Sequence, residues 1–139
     1  MQLIIKNKCS IIHMKEVIIL NKEISGNKTF EEIKHIDENG IEYWYARELQ
    51  LVLEYKQWRR FEQVIDKAKE ACKNSDINVF EHFADVGKLS KRANNAEVTI
   101  NDYKLTRYAC YLIAQNGDTR KKVIALAQIY FAIQTRKQE

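Results

Sequence analysis

The chain has 139 residues, of which 45% are hydrophobic and 30% charged, with a formal net charge of +4. That length fits one domain with a real core, and the small basic excess permits a nucleic-acid partner only where the cations cluster. Cys9, Cys72 and Cys110 lie far apart with no CxxC spacing, which argues against a disulfide framework or structural zinc and for a reducing cytoplasm.

Residues 1–29 read as an N-terminal extension. Their opening, MQLIIKNKCSIIHMKEVIIL, weakly suggests a signal peptide, but there is no small-residue cleavage site, and Lys6, Lys8, His13, Lys15 and Glu16 interrupt it. Export is therefore rejected. Met14 offers an alternative start, and the segment before it is either a local strand or lies ahead of the true start. No apolar run reaches the ~18 residues of a membrane span, so no membrane partner is expected. Proline is absent and glycine rare, nothing marks a linker, and residues 30–139 read as a single domain.

Residues 31–45 read as a β-hairpin, because Asn39-Gly40 is the strongest short hairpin signal. A type I′ turn there places Ile36 opposite Tyr43 and His35 opposite Trp44. A short helix follows from Ala46 to about Leu53, then a turn at Glu54-Tyr55-Lys56. A longer helix from about Gln57 to Lys73 is marked by Trp58, Phe61, Val64, Ile65, Ala68 and Cys72 at three- and four-residue steps. Asn74-Ser75-Asp76 ends it, and 77–84 forms a further short helix.

Gly87 to Ala96 is polar and basic and reads as a loop or a small hairpin arm, followed by a short strand over Val98–Ile100. Asn101 is expected to cap the next helix, with Asp102 in its first turn. That helix runs to about Gln115 and is apolar nearly all round from Tyr108 to Ala114, so it belongs in the centre. Gly117 would end it in the left-handed conformation. Asp118 or Thr119 would cap the last helix, whose end suits Arg136 and Lys137. The pattern stops without a cap, as in a longer protein cut short. The expected fold is α+β: a small antiparallel sheet, including the hairpin, packed on four or five helices with the last two central.

Three basic segments are candidates for phosphate. In the turn 116–122, Arg120, Lys121 and Lys122 open a helix whose N-terminal dipole disfavours cations by roughly 0.3–1 kcal/mol each. An anion held with Asn116 would relieve that frustration; the plain alternative is a solvated turn paired with Asp118. At the start of the 57–73 helix, Gln57, Arg59 and Arg60 lie off the apolar stripe. With the preceding short helix they resemble a helix-turn-helix in outline, although Glu62, Asp66 and Glu70 favour a solvated end. Lys88, Lys91 and Arg92, with Asn94 and Asn95, form the third segment and would follow a phosphate backbone.

Catalytic chemistry finds little purchase. His82 near Glu81 and Asp85 has no metal-ligand spacing, Cys110 sits on a buried helix, and no Ser-His-Asp set, P-loop or GxGxxG occurs. No enzyme, metal or cofactor is expected; a metal-dependent nuclease is a weak alternative, since distant carboxylates can converge. Tyr103, Tyr108, Tyr111, Tyr130 and Phe131 read as core rather than base-stacking groups. A protein-interaction module would instead expose an apolar patch at Trp44, Tyr45 and Tyr55.

The segments FEEIKHIDENGIEYWYARELQLVLEY, FEQVIDKAKEAC, LTRYACYLIAQNGDTRK and AQIYFAIQTRKQE closely resemble the DNA-damage-inducible protein D family of bacteria and phages, over Phe30 to Glu139. The tract RYACYLIAQNGD with QIYFAIQTR is the most specific part. More distantly, the hairpin and ARELQLVL helix look like the N-terminal domain of viral Bro proteins, associated with DNA binding. The resemblance implies a cytoplasmic protein linked to the SOS response, DNA-binding and without catalytic residues or cofactor. It would act by occupying DNA or a repair complex, or by modulating a recombination enzyme or phage repressor, as an antirepressor does. Family members are usually longer at the C-terminus. Two departures stand out: Glu54 replaces the Gly of a Leu-Gly-Tyr turn, and KLSKRANNAE replaces a more Gly/Ser-rich loop.

Overall fold

The structure, a computed structural model, describes residues 29–138, with side chains as far as 132. The expectations for residues 1–28 and for Arg136, Lys137 and the chain end lie outside the described residues. The fold is α+β. Strands β1 (His35–Ile36), β2 (Glu42–Tyr45), β3 (Phe83–Lys91) and β4 (Glu97–Leu105) form one antiparallel sheet in the order β1-β2-β4-β3. The helices are α1 (Ala46–Val52), α2 (Trp58–Asn74), α3 (Val79–His82), α4 (Arg107–Gln115) and α5 (Lys122–Gln138).

The first hairpin forms, but its register differs from the expected one. His35 pairs with Tyr43 and Ile36 with Glu42. Only Gly40 has positive φ, at 78°, and Asn39 does not, so the turn is not type I′. Asp37 N–H donates to the Ile41 carbonyl (3.0 Å) and Gly40 N–H to the Asp37 carbonyl (3.1 Å), which closes a three-residue loop. The Asp37 carboxylate accepts from the Asn39 and Ile41 N–H groups, both at 2.9 Å, and holds the extra residue in place. One more loop residue shifts every pair by one. Residues 31–34 are not strand but a turn begun by Thr29, whose hydroxyl accepts from Glu32 N–H (3.2 Å).

The largest departure lies at 83–105. The basic stretch at 87–96 forms much of a hairpin with nine-residue strands, and β4 runs through Asn101 and Asp102 to Leu105. Asn101 therefore caps nothing, and Thr106 caps α4 by accepting from Ala109 N–H (3.2 Å). Asp102 is drawn away to another helix. Its Oδ1 accepts from Arg47 N–H (2.9 Å) in the first turn of α1, where the N-cap Tyr45 offers no side-chain acceptor.

Helices α4 and α5 hold the centre of the core, as their apolar sequence requires. Ala109, Cys110, Ile113, Val123, Ile124, Ala127, Tyr130 and Phe131 are all buried. Phe131 meets the rings of Phe30 and Trp44 at 5.5 and 5.3 Å. Arg107 is also buried and grips Glu42 through Nε and Nη2, while Tyr130 donates to Glu31. Gly117 is not left-handed. A Cβ there would stand 3.0 Å from Ile124, so glycine serves the close approach of α4 and α5. Trp44 is wholly buried, its indole N–H donating to the Phe30 carbonyl at 2.9 Å, so the proposed exposed patch of Trp44, Tyr45 and Tyr55 does not exist as such.

Candidate nucleic-acid interface

Helix α2 carries three stripes. Phe61, Ile65, Ala68 and Cys72 face the core. Glu62, Asp66 and Glu70 follow a second line at four-residue steps. Arg60, Gln63, Val64 and Lys67 follow a third, and this one faces an open groove of ≈ 1290 Å³ whose far wall is the α4–α5 turn. Leu51, Tyr55 and Val64 supply its apolar lining. Lys56, Arg60, Lys67, Arg120 and Lys121 bring five cations to it, against the two acids Glu54 and Asp118.

The loop between α1 and α2 is held at this groove by two unusual features. Glu54 is left-handed, with φ at 62°. Lys121 reaches across from the α4–α5 turn, donates to the Glu54 carbonyl (3.1 Å) and lies 4.2 Å from the centre of the Tyr55 ring. The two basic segments therefore share one wall-to-wall groove although 60 or so residues separate them in sequence.

The turn itself differs from the expected frustrated helix start. Helix α5 begins at Lys122, and 118–121 is a turn in which Lys121 N–H donates to the Asp118 carbonyl (3.1 Å). Asp118 accepts from Arg120 through Nε (3.0 Å) and Nη2 (3.1 Å) as well as from its backbone N–H (3.0 Å). Those bonds hold the Asp118 carboxyl below its ordinary pKa. The pairing of Arg120 with Asp118 is the one named in the alternative reading of this turn. The Arg120 side chain remains 90% exposed despite the pairing.

Of the expected phosphate contacts, Gln57, Arg60, Asn116, Arg120 and Lys121 line the groove. Asn116 spends its Nδ2 on the Leu112 carbonyl (2.8 Å). Arg59 and Lys122 are exposed but outside the groove lining. Lys88 is ion-paired with the buried Asp102 (2.9 Å) and covers the Tyr45 ring at 3.7 Å, while Lys91 and Arg92 sit exposed at the far end of the β3–β4 hairpin. Sequence reasoning missed Lys56, Gln63 and Lys67. The i, i+3, i+7 spacing of Arg60, Gln63 and Lys67 carried the signal, and the neighbouring acidic stripe masked it.

The remaining reactive side chains are tied into structure. His82 Nδ1 lies 2.6 Å from Thr106 Oγ1, the α4 cap, and burial lowers its pKa. Burial raises the Cys110 thiol well above its ordinary value. Trp58 lies under the Arg47 guanidinium at 3.8 Å and stacks with Tyr103. Among the described residues, no three His, Cys, Asp or Glu side chains gather as a metal set would, and no helix is long and apolar enough to cross a membrane.

The family model for the N-terminal domain of the BRO family matches residues 32–133. The chain is 50% identical over 113 residues to a curated protein of Escherichia coli (strain K12) named DNA damage-inducible protein D. The match covers 81% of this chain and 41% of that protein, so the chain spans about two fifths of its relative's length. No solved structure matches. With more than half of its length accounted for by that one model, the chain belongs to the BRO family through its N-terminal domain.

Proposed function

We propose that this domain binds DNA without catalysing a reaction on it, and that the groove between α2 and the α4–α5 turn holds backbone phosphate. The observation that carries the reading is the gathering of Lys56, Arg60, Lys67, Arg120 and Lys121 on one groove from two separate parts of the chain. Cations of a merely solvated surface have no reason to converge. Gln57, Gln63 and Asn116 supply polar contacts between them. The name of the Escherichia coli relative, DNA damage-inducible protein D, supports a link to DNA damage; in our reading the domain acts in the cytoplasm by occupying DNA or a repair complex.

Duplex binding measured over a salt series tests this. Each phosphate contact contributes a log–log slope of about −0.9 on B-DNA. A Lys56→Ala/Arg60→Ala/Lys67→Ala variant should bind more weakly, with a slope shallower by roughly 2.7. An unchanged slope would remove the groove from the interface. The apolar lining of Leu51, which is 65% exposed, with Tyr55 and Val64, favours a second reading as a docking groove for a repair protein or repressor. Partners retained from nuclease-treated lysate and lost on Leu51→Asp would select that reading.

A further inference from the structure

Strands β3 and β4 pair over nine rungs, but only the base of this hairpin belongs to the body of the protein. Phe83, Asp102, Tyr103 and Leu105 are buried, whereas from Ala84 to Asn101 no residue is. The five rungs from Gly87–Asn101 to Lys91–Glu97 extend about 13 Å at roughly 3.3 Å per residue, with a loop beyond them. A hairpin lying on the surface buries one face. This one buries neither fully: Val86, Lys88, Ser90, Val98 and Ile100 form a half-covered face, and the opposite face is bare, with Leu89 74% exposed. A two-stranded ribbon alone is marginal in water, so its length is unexplained by the fold.

The ribbon's chemistry is one-sided. Residues 86–96, VGKLSKRANNA, carry Lys88, Lys91 and Arg92 and no acid. Lys88 is held at the base by Asp102. Lys91 stands across from Glu97, and Arg92 lies beyond that pair at the start of the loop. The loop is narrow: Arg92 N–H donates to the Ala96 carbonyl (3.0 Å), Asn95 N–H to the Arg92 carbonyl (2.9 Å), and Asn95 takes the left-handed position at φ 63°. After the Arg92 guanidinium, small Ala93 and Ala96 flank the two amides of Asn94 and Asn95. At the ribbon's base a Cβ on Gly87 would come within 2.8 Å of Thr99 Cγ2, so glycine allows the two strands to close tightly there.

We infer that the β3–β4 ribbon is an arm that enters the major groove of duplex DNA, with Lys91 and Arg92 meeting phosphates or base edges at its tip. The inference rests on the DNA-binding reading above and adds a second contact to it. Two strands ~4.8 Å apart with their side chains fit a groove about 12 Å wide, which admits a two-stranded ribbon. At the tip, Arg92 has no acid across from it and Lys91 faces only the exposed Glu97, an excess of positive charge that matches a polyanion. A second copy of the chain could pair with the free edge of β3, but Lys88 and Lys91 on that strand oppose it.

The test uses two variants of the full chain: Lys91→Ala/Arg92→Ala, and a shortened arm in which Asn-Gly joins Lys88 to Ile100. Since neither removes a buried side chain, thermal unfolding should stay at the wild-type temperature; the double substitution keeps the test valid if the shortened chain misfolds. The expected result is weaker duplex binding, with a salt slope shallower by about 0.9 for each contacting cation lost. Wild type at saturation should also shield guanine N7, a major-groove atom, from dimethyl sulfate on a short duplex, and the variants should not. Wild-type affinity and N7 shielding in both variants would overturn the arm while leaving the α2 groove reading intact, provided its own triple variant loses binding. No duplex binding by the wild-type chain would overturn both. A dimer in sedimentation that becomes monomeric on shortening, with DNA binding unchanged, would assign the ribbon to self-association instead.

Discussion

Glu54 shows how one residue can work against the fold and the site together. Three described non-glycine residues have positive φ: Glu54, Asp76 and Asn95. Asn and Asp tolerate that region through local hydrogen bonding, whereas glutamate has no such compensation. Its strain arises in the turn between α1 and α2. Glu54→Gly should raise the unfolding free energy by about 1 kcal/mol in urea denaturation. The carbonyl that accepts from Lys121 stays in place because it belongs to the backbone. The change also removes one of the two acids lining the groove, so under the DNA reading duplex affinity should rise with stability. A stabilised variant with weakened duplex binding would mean that the carboxylate itself serves the groove.

At the scale of elements, the decisive interactions cross between elements, and that limits what the sequence reveals. Helix α1 is capped by Asp102 from β4, 55 residues away, and the same carboxylate meets Lys88 of β3 at 2.9 Å. Asp102→Ala should cost about 2 kcal/mol in urea denaturation, the upper range for a lost cap. Asp102→Asn should cost less, because its amide oxygen still accepts from the Arg47 and Tyr103 N–H groups and the pair it loses has a lysine side chain that is 36% exposed. Equal losses in the two variants would place the stabilisation in the ion pair. Helix α2 is legible because its apolar stripe depends on neighbours three and four residues apart, and α4 because a run apolar nearly all round belongs in the centre. Asn101-Asp102 looked like a cap because a cap and a strand-borne acid are the same letters; only pairing with β2 and β3 decides between them. The first hairpin was legible from Asn39-Gly40, but its register was not, since Asp37 recruits one more residue into the loop. In the groove, Arg60 and Arg120 were each visible locally, and their convergence was not.

The described residues divide between a dense centre and a thinly covered appendage, and that division predicts a steep gradient in local stability. Helices α4 and α5 bring Ile113, Ala114, Ile124, Ala127, Tyr130 and Phe131 together out of water, so their amides should exchange only through global unfolding. The ribbon beyond Gly87 and Asn101 has cross-strand hydrogen bonds but no fully buried side chain, so it can open at the loss of little more than the Lys88 contacts to Asp102 and Tyr45. Hydrogen exchange read by mass spectrometry on the free chain should show peptides spanning 88–100 labelled at least 100-fold faster than those spanning 107–115, since an opening difference of about 2.7 kcal/mol is that factor and folded domains hold roughly 5–15 kcal/mol in all. Comparable protection in the two regions would mean that the ribbon packs against something in solution and is not a free arm. The gradient also bears on how the two basic surfaces would divide their work. Cations on α2 and the α4–α5 turn are fixed relative to one another by the core, which suits them to set position on a phosphate backbone. Those on the ribbon are carried by an element of low intrinsic stability, whose ordering in a groove offsets part of the gain from contact. Removing ribbon cations should therefore change the rate of dissociation more than it changes the course of the initial, charge-steered encounter.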